Sequence, residues 1–158
     1  MPCTSHAREL PLLARKALSP FCSTEYRSFQ KGECGMLGKQ TLVAFAATTD
    51  SARSRAFYEG TLGLTVISDD PFALVIDANG TMLRVQKVAD FTPQPFTALG
   101  FQVDDISAVV AALMKARVVC ERFPGMDQDA QGVWSSPSGA RVAWFKDPDG
   151  NVLSLTEF

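Results

Sequence analysis

Apolar and polar positions fall into a regular order from Gln40 onward, and that order occurs twice. Thr41–Ala47 is a short apolar run that predicts a strand, ending at Thr48-Thr49-Asp50. Asp50 suits the N-cap of a helix over Ser51–Glu59, which carries Ala52, Ala56, Phe57 and Tyr58 and stops at Gly60. Three strands follow, Leu64–Ser68, Phe72–Ile76 and Thr81–Val88, separated by turn residues. The second half starts again with a strand over Thr97–Val103 and a helix cap at Asp104-Asp105. Ile106, Val109, Val110 and Leu113 recur at i, i+3, i+4 and i+7, the stripe of a helix with one buried face. Arg117–Arg122, Arg141–Phe145 and Val152–Glu157 supply three more strands. The predicted order is βαβββ, twice, in modules of about 40–88 and 96–158.

The duplication reaches individual residues. Asp77-Ala78-Asn79-Gly80-Thr81-Met82-Leu83-Arg84-Val85 aligns with Asp147-Pro148-Asp149-Gly150-Asn151-Val152-Leu153-Ser154-Leu155. Each copy is a tight turn feeding an alternating strand, with Gly or Asn where a positive φ is needed. Asp50 likewise matches Asp105. Repetition of this quality is hard to obtain from chance patterning.

Composition narrows the function classes without choosing one. A chain of 158 residues with 46% hydrophobic and 20% charged residues suits one soluble globular domain, or one domain with a tail. A net charge of −2 argues against a nucleic-acid binder, which needs a basic patch. No apolar run is long enough to span a bilayer as a helix. Cys3, Cys22, Cys34 and Cys120 show no metal-binding or secreted-scaffold spacing, so free thiols in a cytoplasmic protein are expected.

Residues 1–38 read differently from the rest. They hold three of the four cysteines and the sole histidine, His6, and the leucines support a short helix around Leu12–Leu18. The apolar stretch Leu10–Ala14 is too short for a secretory signal. The expectation is a loosely docked N-terminal extension, 1–38, ahead of a domain at 39–158, with Met36 as a natural start site.

The run from Asp50 through Phe57-Tyr58 to Leu62-Gly63-Leu64, then Phe101-Gln102-Val103-Asp104-Asp105, then Trp144-Phe145-Lys146-Asp147-Pro148-Asp149-Gly150-Asn151 closely resembles the vicinal oxygen chelate superfamily. That group includes glyoxalase I, bleomycin-resistance proteins and extradiol dioxygenases. The resemblance implies an α+β fold in which two βαβββ modules form a curved mixed sheet around one cavity, with homodimers common. It also implies a divalent metal held by one inward residue on the first and fourth strand of each module. Those positions are Val43, Arg84, Ala98 and Ser154 here, and none is a good ligand; His6, in the tail, cannot serve the domain. Asp69, Asp70, Asp127 and Asp129 sit in predicted turns or loops. The expectation is no metal, no cofactor and no dioxygenase chemistry.

Strand parity assigns Leu83, Val85, Leu99, Phe101, Val103, Leu153 and Leu155 to the face beneath the helices. The opposite face carries Val43, Phe45, Ala47, Arg84, Gln86, Ala98, Gly100, Gln102, Val152, Ser154 and Thr156, a half-apolar set of the kind that lines small-molecule sites. Arg84 is its single charge, and no Asp or Glu shares that face. Either it sits at a wet mouth with its stem packed on the sheet, or an anionic or carbonyl-bearing ligand completes its pairing. Phe123–Ala140 reads as a long loop in which Met126 and Trp134 overhang the cavity as a lid; equally, Trp134 plugs a sheet edge or a dimer contact. Candidate ligand-binding residues are thus Val43, Phe45, Arg84, Gln86, Ala98, Gln102, Met126, Trp134, Ser154 and Thr156. Three readings follow: a bleomycin-resistance-like binding protein, a metal-independent lyase or isomerase, and a non-catalytic relative with a vestigial cavity. The lyase reading lacks an evident general base.

Overall fold

The computed structural model describes residues 36–158. The expected helix at Leu12–Leu18 and nearly all of the expected extension lie outside them. Gln40–Phe158 form one compact unit.

The first module runs β1 (Val43–Thr48), α1 (Ser51–Arg55), β2 (Thr65–Asp69), β3 (Ala73–Ala78) and β4 (Thr81–Lys87). Its sheet has the order β1-β4-β3-β2, with β1 parallel to β4 and the remaining pairs antiparallel. The second module runs β5 (Thr97–Gln102), α2 (Ile106–Lys115), β6 (Trp134–Ser135), β7 (Arg141–Lys146) and β8 (Val152–Glu157), with sheet order β5-β8-β7-β6. Two mixed four-stranded sheets with few helices make an α+β fold of paired βαβββ modules, as the sequence pattern predicts.

Both helices begin on the expected aspartates. Asp50 accepts from Arg53 N at 3.0 Å and Asp105 from Ala108 N at 2.9 Å, each satisfying an amide that has no intrahelical partner. α1 then widens into a π-helical turn over Ala56–Thr61. The consecutive aromatics Phe57 and Tyr58 lie in that turn, and both are buried in the core. Leu83, Val85, Leu153 and Leu155 are buried beneath the helices, joined by Leu74, Ile76, Ile106, Val110 and Phe145.

One strand is placed differently. Arg117–Arg122 does not form the module's second strand, which is the short β6 within the expected loop. Arg117 adopts φ +63° just past the end of α2, and Val118 N returns to Leu113 O, so the start of the segment is spent on stopping the helix. The rest runs extended beside β7, with Glu121 N donating to Trp144 O at 2.7 Å.

The Asp147–Asn151 turn fastens the second module to the first. Tyr58 Oη donates to Asp147 Oδ2 at 2.8 Å, and Asn151 Nδ2 donates to Ala47 O at the same distance. Asp149 accepts from Thr48 Oγ1, Ser54 Oγ, Thr49 N and Oγ1, and Arg53, and its side chain is only 2% exposed. Burial alone would raise the Asp149 pKa; the hydrogen bonds from Thr49, Thr48 and Ser54 more than offset that and hold it below its usual value.

Candidate functional site

The faces that the helices leave uncovered carry the predicted set. In β1 and β4, Val43, Phe45 and Ala47 stand opposite Met82, Arg84 and Gln86 in register. In β5 and β8, Gly100 stands beside Ser154 and Gln102 beside Thr156. Because β1 and β5 are each an outer strand of their own sheet and approach one another, the two sets meet along that seam. A pocket of about 220 Å³ opens there. Phe45, Gln86 and Ala98 line it, and the linker between modules adds Phe91, Gln94 and Phe96.

Ser154 is nearly buried because Gly100 lets it approach: a Cβ on Gly100 would sit 3.0 Å from Ser154 Oγ. Beyond Ser154 across the sheet comes Trp144 of β7, which sequence reasoning left out of the site. Its signal was present, since alternation with buried Ala143 and Phe145 puts Val142 and Trp144 on the open side. Trp144 donates to Thr97 Oγ1 at 3.1 Å, packs edge-to-face with Phe123 at 5.4 Å, and lies 6.2 Å from Trp134 between ring centroids. Gln102, Thr156, Val142 and Trp134 then form a continuous row across the four strands. Phe91, Gln94 and Phe96 carried no comparable signal, because they lie on a Pro-flanked linker without periodicity.

Arg84 is not unpaired. Asp70, from the turn between β2 and β3, reaches its Nη2 at 3.5 Å, and both side chains are about one-third exposed. Backbone amides of Phe72 and Ala73 hold Asp70 below the usual carboxylate range, with Arg84 and Lys87 adding to the effect. Asp69 pairs with Lys87 in the same way. These aspartates therefore belong to the strand ends rather than to free solvent. Strand parity missed the partner because Asp70 comes from a turn and not from the face itself.

The segment expected as a lid or as an edge plug is held by internal hydrogen bonds. Gln128 links Phe123 N, Glu121 O and Gly132 O; Asp129 Oδ1 accepts from Gln131 N and Val133 N; and the Arg122 guanidinium donates to the carbonyls of Asp129 and Ala130. Trp134 is half-buried as part of β6, and Met126 is half-buried in the turn after Phe123. Cys120 is a buried free thiol, and burial pushes its pKa up. Among the described residues no three His, Cys, Asp or Glu side chains come together in a way that could hold a metal ion, and no helix is long and apolar enough to cross a membrane.

Paired βαβββ modules, each with a mixed four-stranded sheet, define the class of fold. The chain belongs to the Glyoxalase/Bleomycin resistance protein/Dioxygenase superfamily, whose pattern matches residues 41–155. Its fold is similar to that of an integron cassette protein from the mobile metagenome of the Halifax Harbour sewage outfall (TM-score 0.59, 20% identity, covering 76% of this chain and 99% of that one). It is also similar to lactoylglutathione lyase from Agrobacterium tumefaciens (TM-score 0.58, 18% identity, 75% and 93% covered). A third similar structure is the fosfomycin resistance protein FosX from Listeria monocytogenes (TM-score 0.58, 13% identity, 74% and 91% covered). No curated protein matches the chain significantly in sequence.

Proposed function

We propose that the protein binds a small, oxygenated, largely apolar molecule on the surface between its modules, without a metal ion, in the manner of a bleomycin-resistance-type binding protein. One observation carries this reading: at the four positions where the family resemblance implies metal donors, the chain has two aliphatic side chains, a guanidinium and a hydroxyl. Val43 and Ala98 offer no lone pair, Arg84 repels a cation, and Ser154 is a weak neutral ligand, so the donor set does not fit a divalent metal. What the surface does offer suits recognition: Phe45, Trp134 and Trp144 for apolar and π contact, with Gln86, Gln102 and Arg84 as hydrogen-bond donors.

The Arg84–Asp70 pair favours a neutral ligand over an anionic one. Asp70 already supplies the negative charge, while the five N–H groups of a guanidinium leave donors to spare. A carbonyl oxygen fits that neutral pair better than a second carboxylate. The lyase or isomerase alternative needs a general base. Asp70 is the carboxylate that reaches Arg84, but its lowered pKa makes it a poor one. The same reading expects a homodimer in the cytoplasm, with Cys120 as a free thiol.

The test is metal analysis of the purified full chain, followed by a thermal-shift screen of neutral ketones and lactones against matched carboxylates. The expected result is sub-stoichiometric metal and stabilisation by carbonyl compounds that Arg84→Ala abolishes. Stoichiometric bound metal, or stabilisation confined to carboxylates, overturns the reading.

A further inference from the structure

The two modules are not equivalent at the place where the Asp147–Asn151 turn docks. Both N-caps align when 55 residues separate the copies, as Asp50 and Asp105 do, and the opening strands keep that offset: Ala46 faces Val85 as Phe101 faces Leu155, with the closing strands 70 residues apart. On that alignment the hydroxyl partners of the docked turn, Thr48, Ser54 and Tyr58, correspond to Val103, Val109 and Leu113. All three corresponding residues are aliphatic. The twin turn Asp77–Gly80 has no matching role, and Asp77 accepts from Gly80 N within its own turn.

At the vacated position lies a pocket of about 320 Å³, larger than the one at the β1–β5 seam. Val103, Val109, Ala112 and Leu113 form one side, with Leu62 and Leu64 from the connection after α1 forming the other. Phe101 and Leu155 close the base; Gln102 and Thr61 are its only polar lining residues, and no charged residue lines it. A cavity of this size takes a small molecule and is too small for a helix or strand of a partner.

We propose that this pocket is a second ligand site, specific for an uncharged, predominantly aliphatic molecule with a single hydrogen-bonding group. The aliphatic body occupies the space between α2 and Leu62–Leu64, where the first module has its polar turn. The single polar group meets Thr61, since strand alternation puts the Gln102 side chain on the opposite face from Phe101 and Val103. An anion is excluded, since burying a carboxylate without a paired cation costs far more than the apolar contacts return. The site is separate from the surface between the modules and does not depend on what that surface binds.

Titration of the full chain with n-alkanols from 1-butanol to 1-octanol, followed by amide chemical shifts, tests this. Saturable shifts are expected at Leu62–Leu64 and Val109–Leu113, with affinity rising about fourfold per added methylene until the pocket is filled. Octanoate at neutral pH is expected to bind at least about tenfold more weakly than 1-octanol. Ala112→Phe fills the space from the edge of α2 and is expected to abolish the shifts; Leu64→Phe does the same from the opposite wall if the first variant fails to fold. Non-saturating shifts, equal affinity for octanoate, or binding that survives a folded filling variant would overturn the proposal. So would an untitratable pocket whose filling variant dissociates a dimer, which would make it an interface between copies.

Discussion

Asp149 accepts a 2.7 Å hydrogen bond from Thr48 Oγ1, which joins a turn in the second module to the end of the first module's opening strand. With Asp147, Asn151, Ser54 and Tyr58 it makes a polar seam between α1 and the last turn of the chain. Asp149→Ala removes the acceptor of the Thr48 hydroxyl and of the Thr49 amide, while Ser54 keeps its bond to Thr48 and Arg53 turns to solvent. It is expected to cost about 3 kcal/mol in urea-unfolding free energy. Substitution of Asn79, the corresponding residue of the first turn, is expected to change it by less than about 1 kcal/mol, because that turn anchors nothing comparable.

The same seam sets the limits of pH stability. Asp149 has a folded pKa below its unfolded value of 3.8, so its contribution is complete above that pH and is lost as pH falls through the lower folded value. Tyr58 behaves oppositely. Burial first, and then the Asp147 carboxylate, push its phenol well above the ordinary value of 10.0. The unfolded chain then releases that proton first, and stability declines as pH rises beyond about 10. Unfolding free energies across the pH range should show both flanks. Tyr58→Phe should lower the plateau by about 1 kcal/mol and flatten the alkaline flank, leaving the acid flank in place.

The duplicated fold was legible because its signals are local and repeated: two aspartate caps, two acid-x-x-Gly turns, and strands whose alternation separates Leu83 and Val85 from Arg84. The turn's role was less legible. Asp147 through Asn151 read as a ruler for register, whereas the structure makes the second copy a fastening and leaves the first without that task. Nothing local in Asp149 announces Thr48, about a hundred residues away. The site was legible as a face but not in its pairings. Parity separates Arg84 from buried Leu83 and Val85, yet its counter-charge comes from a turn. The strand over Arg117–Arg122 failed because apolar alternation cannot register that Arg117 is needed in the left-handed region to end α2.

Gly100 and Ser154 offer a measure of how tightly the second sheet's open face is built. A methyl at Gly100 meets Ser154 Oγ at 3.0 Å, closer than ordinary van der Waals contact. Gly100→Ala is expected to destabilise by about 1 kcal/mol. In a Ser154→Ala background the obstructing oxygen is gone, and most of that cost should disappear. A double-mutant cycle should therefore give a coupling of about 1 kcal/mol. Zero coupling would mean that Ser154 turns aside freely and does not hold the position assigned to it beside the ligand surface.

Trp134 and Trp144 are the only two tryptophans in the chain, and both stand on the open face of the second sheet. Intrinsic fluorescence therefore reports on one of the two proposed sites and is blind to the other. A carbonyl ligand that settles between the modules should quench or shift the emission saturably, and Trp144→Phe should remove most of the change. An n-alkanol in the pocket beneath α2 contacts Leu62, Leu64 and Val109 on the helix-covered side of the sheet, opposite the face that carries both indoles. It should raise thermal stability while leaving the emission unaltered. An alkanol-induced fluorescence change that Trp144→Phe removes would place both kinds of molecule on the same surface, and the second site would then be the one to abandon.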